Sequence, residues 1–253
     1  MNKNPIGIFD SGIGGLSVVR QIKKVLPNES IIYLADKANF SYGEKTPEQI
    51  RKLSEKNVKW LLAQKAKLIV VACNTATVNA ISFLRQRFPS IVFVGMEPAI
   101  KPAAEESKKG IIILSSPRAA KSQQLDSLIK KYAQGAKIFN IGSLELVQAA
   151  EEQWKVNKIE IVLEKLLPRK ILNQTDTLVL GCTHFPLIKD QIQKFVGGKI
   201  KVIDSGEAVA ERVKTVLEEK KLLSATTKPN YNFFTTGEKE TVGEITFFKA
   251  LLI

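Results

Sequence analysis

The chain has 253 residues, 44% of them hydrophobic and 25% charged, with a formal net charge of +13, two cysteines and a single histidine. That length suits one large domain or two of ordinary size, and the composition is that of a globular protein. Two cysteines far apart exclude a disulfide framework and a metal cluster. The longest apolar runs, such as LIVVAC at 68–73, fall short of the roughly 20 residues a bilayer needs, and no apolar leader opens the chain. The expectation is a cytoplasmic protein with reduced thiols. The lysines are scattered through helical segments and no nucleic-acid-binding signature occurs. Charge of this kind supports only salt-dependent association, and specific nucleic-acid binding is not expected.

Short β-rich runs alternate with helical patterns throughout. In order they are IGIF (6–9), IIYLA (31–35), LIVVA (68–72), IVFVG (91–95), IIIL (111–114), AKIFN (136–140), TLVLG (177–181), IKVI (200–203) and YNFFTT (231–236). They are apolar on both faces, as parallel strands covered by helices are. Between them, 157–167 spaces Ile159, Val162, Leu163, Leu166 and Leu167 as a helix does. Residues 204–222 gather Val209, Val213, Val216 and Leu217 on one face, opposite glutamates and lysines. The alternation predicts an α/β fold with mainly parallel sheets.

The two halves echo each other. VVACNTATVNAI resembles VLGCTHFPLIKDQI, and IFDSGIGGLSVV resembles VIDSGEAVAERV. The echo predicts two pseudo-symmetric α/β domains whose cysteines meet across an interdomain cleft. A crossing near GMEPAIKPA and a return near IDSGEA divide the chain into a first domain of 1–97 plus 206–253 and an inserted second domain of 98–205.

Ligands of open parallel sheets bind beyond the carboxyl ends of the strands. Asp10-Ser11, Tyr42-Gly43, Cys73-Asn74-Thr75 and Cys182-Thr183-His184 all fall at such ends. Each cysteine follows a strand and precedes a helical pattern, where a helix N-terminus stabilises a thiolate. A single buried cysteine is ordinarily a packing residue; two in matched contexts point to chemistry. Removing a proton from one face of a carbon and returning one to the other takes two bases, one a thiolate and one a thiol. A thiol hydrolase would use Cys182 with His184 and leave Cys73 without a role. His184 can polarise or hold the Cys182 proton, and Asp10 can meet a thiol or a substrate ammonium. DSGIGG is not the dinucleotide fingerprint; its glycines allow a tight turn that offers amides to an anion. No cofactor or metal is expected.

At these residues the chain resembles the bacterial glutamate racemases. IGIFDSGIGGLSV, YGEKT, ACNTAT, PAIKPA, GCTHFPL and DSGEAVA match that family's motifs in the family's order, over nearly the whole chain. The resemblance implies cofactor-independent interconversion of L- and D-glutamate for peptidoglycan synthesis, in an enzyme that is commonly a homodimer. It implies that Cys182 acts on L-glutamate and Cys73 on D-glutamate. Asp10 would assist Cys73, and His184 and Glu151 would assist Cys182. Ser11, Tyr42, Gly43, Asn74, Thr75 and Thr183 match positions that hold the substrate's amino and carboxylate groups. An aspartate racemase or a basic DNA-associating protein of the same fold are the alternatives. Ser41 stands where the family has proline, and Arg118-Ala119 where it has a Gly-Thr substrate contact. GSLELVQAAEE is similar to a branch that carries an N-terminal extension and is activated by a cell-wall precursor. This chain begins five residues before its first strand, so activation is not expected.

Overall fold

A computed structural model describes residues 3–237 and the backbone of 242–244. The chain separates into two units, Met1–Met96 with Gly206–Ile253, and Glu97–Ser205. Among the described residues no helix is long and apolar enough to cross a membrane.

The first unit begins with β1 (Ile6–Asp10), α1 (Leu16–Val25), β2 (Ile31–Ala35), α2 (Pro47–Ala63), β3 (Leu68–Val71), α3 (Asn74–Arg87) and β4 (Phe93–Gly95). The second holds α4 (Ile100–Glu106), β5 (Ile111–Ser115), α5 (Pro117–Ala120), α6 (Gln123–Tyr132), β6 (Ile138–Gly142), α7 (Leu144–Glu151), α8 (Val156–Leu166), α9 (Arg169–Leu172), β7 (Thr177–Gly181), α10 (Lys189–Val196) and β8 (Lys201–Ile203). The chain returns to the first unit with α11 (Gly206–Glu219), β9 (Tyr231–Thr236) and β10 (Val242–Glu244).

The first sheet runs β10-β9-β2-β1-β3-β4 and the second β6-β5-β7-β8. All pairings are parallel except β10 with β9. The stretch β2-β1-β3-β4 thus recurs as β6-β5-β7-β8, which makes β3 and β7 counterparts. β1, β2 and β3 are buried along their whole length. Phe9, Leu34, Ile69 and Val71 pack with Ile50, Val58 and Leu61 of α2 and Ala80 and Leu84 of α3. Helices start where polar caps allow. Thr46, the N-cap, and Gln49 form a reciprocal capping box around Pro47, the first residue of α2.

Three expectations need correction. β6, β8 and β9 are not buried on both faces: β6 and β8 are sheet edges with Asn140, Gly142 and Lys201 exposed, and in β9 only Phe233 and Thr236 are buried. The DSG echo pairs segments that are not counterparts, because Asp10 ends the inner strand β1 whereas Asp204 follows the edge strand β8. The segment after Cys182 is not an α-helix at once. Pro186, which has no amide hydrogen, lies in a 3-10 turn (Phe185–Ile188), and α10 follows it.

Candidate active site

Cys73 follows β3 with extended backbone and caps α3. Its Sγ accepts the Ala76 amide at 3.5 Å. A sulfur so placed meets the partial positive charge and free N–H groups of a helix start. It is 4% exposed and donates to Ser11 Oγ at 3.8 Å. Asn74, the first residue of α3, is 3% exposed, and neither its Nδ2 nor its Oδ1 has a hydrogen-bond partner. A carboxamide buried with both ends open is stabilised by any ligand that both donates and accepts. Thr75 beside it is buried as well.

Asp10 ends β1 with no exposed surface. Its carboxylate accepts the Ser11 amide at 2.8 Å and the Gly15 amide at 2.6 Å. Those two amides of the DSGIGG loop therefore bind the chain's own anion rather than being offered to a substrate's. A side chain at Gly15 would start 2.9 Å from both Asp10 Cβ and Tyr33 Oη, so only glycine lets the loop close. Tyr33 donates to Gly12 O at 2.5 Å across the same loop.

Tyr42 is fully buried, and its hydroxyl donates to Asp36 Oδ2 at 2.5 Å and accepts from Asn57 Nδ2 at 3.1 Å. Burial, followed by the Asp36 charge and hydrogen bond and the nearby Cys73, pushes its pKa well above the usual tyrosine value. The phenol stays neutral and points into the protein's own network. The Gly43 amide donates to Ser41 Oγ at 3.1 Å, so Ser41 caps the turn itself. Asp36, which sequence reasoning missed, anchors this loop. Besides Tyr42 it accepts from Thr236 Oγ1 at 2.8 Å and Asn39 Nδ2 at 3.0 Å. The available signal was an acid directly after an apolar strand, the same pattern that marked Asp10.

In the second unit Cys182 follows β7, 7% exposed. Its Sγ lies 3.7 Å from His184 Nδ1. The far nitrogen, Nε2, lies 2.8 Å from Glu151 Oε2, at the end of α7. His184 is 2% and Glu151 9% exposed. With Nε2–H donated to Glu151, Nδ1 turns its lone pair toward the thiol. Glu152, one residue on, is exposed and accepts from Trp154 Nε1 at 2.7 Å. Thr183, between Cys182 and His184, is buried. Among the described residues no group of three histidine, cysteine or acidic side chains could hold a metal.

Residues 6–213 match the family model described as Asp/Glu/Hydantoin racemase. The glutamate racemase of Roseiflexus sp. is 39% identical over 87% of this chain and 81% of its own length. That of Pseudomonas paraeruginosa is 38% identical over 95% and 92%. Among solved structures, a glutamate racemase isoform from Bacillus anthracis superposes with a TM-score of 0.85 at 29% identity, covering 99% of this chain and 93% of that one. The Escherichia coli glutamate racemase, in complex with L-glutamate and the activator UDP-MurNAc-ala, gives 0.83 at 33% identity, covering 93% and 90%.

Proposed function

This chain belongs to the Asp/Glu/Hydantoin racemase family, and on that premise we propose that it interconverts L- and D-glutamate by a two-thiol mechanism. The observation that carries the mechanism is the matched position of the thiols. Each follows the counterpart strand of its own four-strand pattern, and each is tied to a polar partner.

In the L-to-D direction the Cys182 thiolate removes the Cα proton and becomes a thiol. The electron pair left on carbon is delocalised into the α-carboxylate. The Cys73 thiol returns a proton to the opposite face and is left as a thiolate. The end state is the start state of the reverse reaction, so no external base is consumed. His184 Nδ1 takes the Cys182 proton when the thiolate is formed, and Glu151 stabilises the resulting imidazolium. The α3 N-terminus stabilises the Cys73 thiolate. Asn74, Thr75, Thr183 and Ser11 hold the amino and carboxylate groups, with Gly43 and the Tyr42 loop walling the site. Asp10 keeps the Ser11 loop in shape beside Cys73. The same reading carries a role in peptidoglycan synthesis, a cytoplasmic setting and a homodimer.

Cα proton exchange in deuterated water, followed by NMR with a chiral assay, tests the proposal on glutamate and aspartate side by side. Deuterium incorporation with racemisation of glutamate is expected. Exchange of aspartate alone would keep the mechanism and change the substrate. No exchange of either would overturn the reading.

A further inference from the structure

We propose that Arg118 is a specificity-determining residue, its guanidinium binding the side-chain carboxylate of the substrate. This rests on the reading of a glutamate-binding enzyme given above. Arg118 is half-buried, and its Nε is shut from solvent with no hydrogen-bond partner. Polar atoms so buried are rarely left open, and a guanidinium donor is satisfied best by a carboxylate.

Its position in the second unit supports the same conclusion. Ser115, the last residue of β5, is in register with Gly181 of β7, the residue before Cys182. The turn α5 therefore leaves the sheet at the level where Cys182 does, at the carboxyl edge where parallel sheets bind ligands. The turn is held from several sides. Ser116 Oγ accepts the Ala119 amide at 3.4 Å. Ser122 Oγ donates to Ala119 O at 2.8 Å, and Asn140 Nδ2 to Ala120 O at 2.7 Å. Pro117 packs so closely on Gly142 that a Cβ there would lie 2.9 Å from its Cα. The backbone that carries Arg118 is thus fixed, as a selective contact requires.

Charge decides which carboxylate it binds. The α-ammonium and α-carboxylate of an amino acid cancel, and the side-chain carboxylate is the charge left over. The other candidate substrate-holding residues offer hydroxyls, amides and an aromatic ring but no fixed cation. Arg118 supplies the missing one. A site completed this way prefers an acidic amino acid to its neutral amide, because the amide leaves the cation without a counter-charge.

The test compares wild type with Arg118→Gln, Arg118→Lys and Arg118→Ala on L-glutamate and L-glutamine. Arg118→Gln and Arg118→Ala are expected to raise KM for glutamate about 10- to 100-fold, the range of a hydrogen bond to a charged group. kcat should stay within a few-fold. Arg118→Lys should recover part of the loss, and the preference for glutamate over glutamine should shrink. A glutamate KM within twofold of wild type in Arg118→Gln, whose side chain keeps most of the packing stem, overturns the assignment even if Arg118→Ala does not fold. Calorimetric glutamate binding separates the two proposals. Binding that weakens in Arg118→Gln while wild type racemises nothing upholds Arg118 and sinks the racemase reading. Racemisation by wild type with an unchanged KM in Arg118→Gln does the reverse.

Discussion

Cys73 and Cys182 follow counterpart strands of sheets with the same internal order, yet the groups that would handle their protons differ in kind. Cys73 Sγ accepts the Ala76 amide of α3 and donates to the Ser11 hydroxyl. Cys182 has no α-helix directly behind it; it faces an imidazole that a buried carboxylate orients. The first arrangement would stabilise a thiolate through backbone dipoles. The second would store the thiol proton on a group that titrates, the His184 imidazole. Fold symmetry, then, sets where a side chain sits, while the short segments after each strand set its chemistry.

The sharpest test of that comparison is replacement of either thiol. Cys73→Ser and Cys182→Ser should each lower kcat/KM by about 10²- to 10⁴-fold, the usual weight of a proton-transferring group, in a coupled racemisation assay. Enantiomers have equal free energy, so kcat/KM falls by one factor in both directions. The α-deuterium isotope effect tells the two variants apart, because it rises for the enantiomer whose proton the impaired base removes. A variant that keeps wild-type racemisation would remove its cysteine from the mechanism.

Next in size are the partners. His184→Ala should cost about 10²-fold in kcat/KM and Glu151→Gln about 10- to 100-fold. Ser11→Ala, which removes a long neutral contact to the thiol, should cost less than about 10-fold in kcat, the loss of its substrate contact falling on KM. If Ser11→Ala proved as damaging to kcat as His184→Ala, the contrast between a dipole-held and a relay-held thiol would fail.

The smallest effect concerns the buried loop beside Cys73. The folded protein holds the Tyr42 proton more tightly than the unfolded chain does, where tyrosine titrates near about pH 10. Its contribution to stability is therefore full below about pH 10 and lost as pH rises above it. Tyr42→Phe should flatten that alkaline limb, read as denaturation midpoint against pH, with an unchanged slope counting against the buried phenol. At neutral pH the same variant should lose about 1–3 kcal/mol, because Asp36 is left with one donor fewer.

Periodicity and apolar runs were enough to read the α/β class and nearly every strand: TLVLG at 177–181 and YNFFTT at 231–236 match β7 and β9 residue for residue. β7 is covered on both faces and reads as an apolar run, whereas β9, only partly buried, carries the aromatic and β-branched residues that favour strands, Phe233, Phe234, Thr235 and Thr236. Edge strands were read less well. AKIFN lies two residues ahead of Ile138–Gly142, and β10 was not read at all, because one-sided pairing leaves little trace in residue choice.

Sequence alone determined that both cysteines stand just past apolar strands with polar neighbours, since strand, small residue and cap are all local signals. Only tertiary structure decided that Glu151 rather than Glu152 meets His184, which depends on which side of α7 turns inward across 33 residues of chain. It also decided that the DSGIGG amides close on Asp10, and that Arg118 keeps a buried donor without an acceptor. Local pattern reports what a residue is able to do. Whether its polar atoms are already satisfied depends on partners that folding brings from elsewhere in the chain.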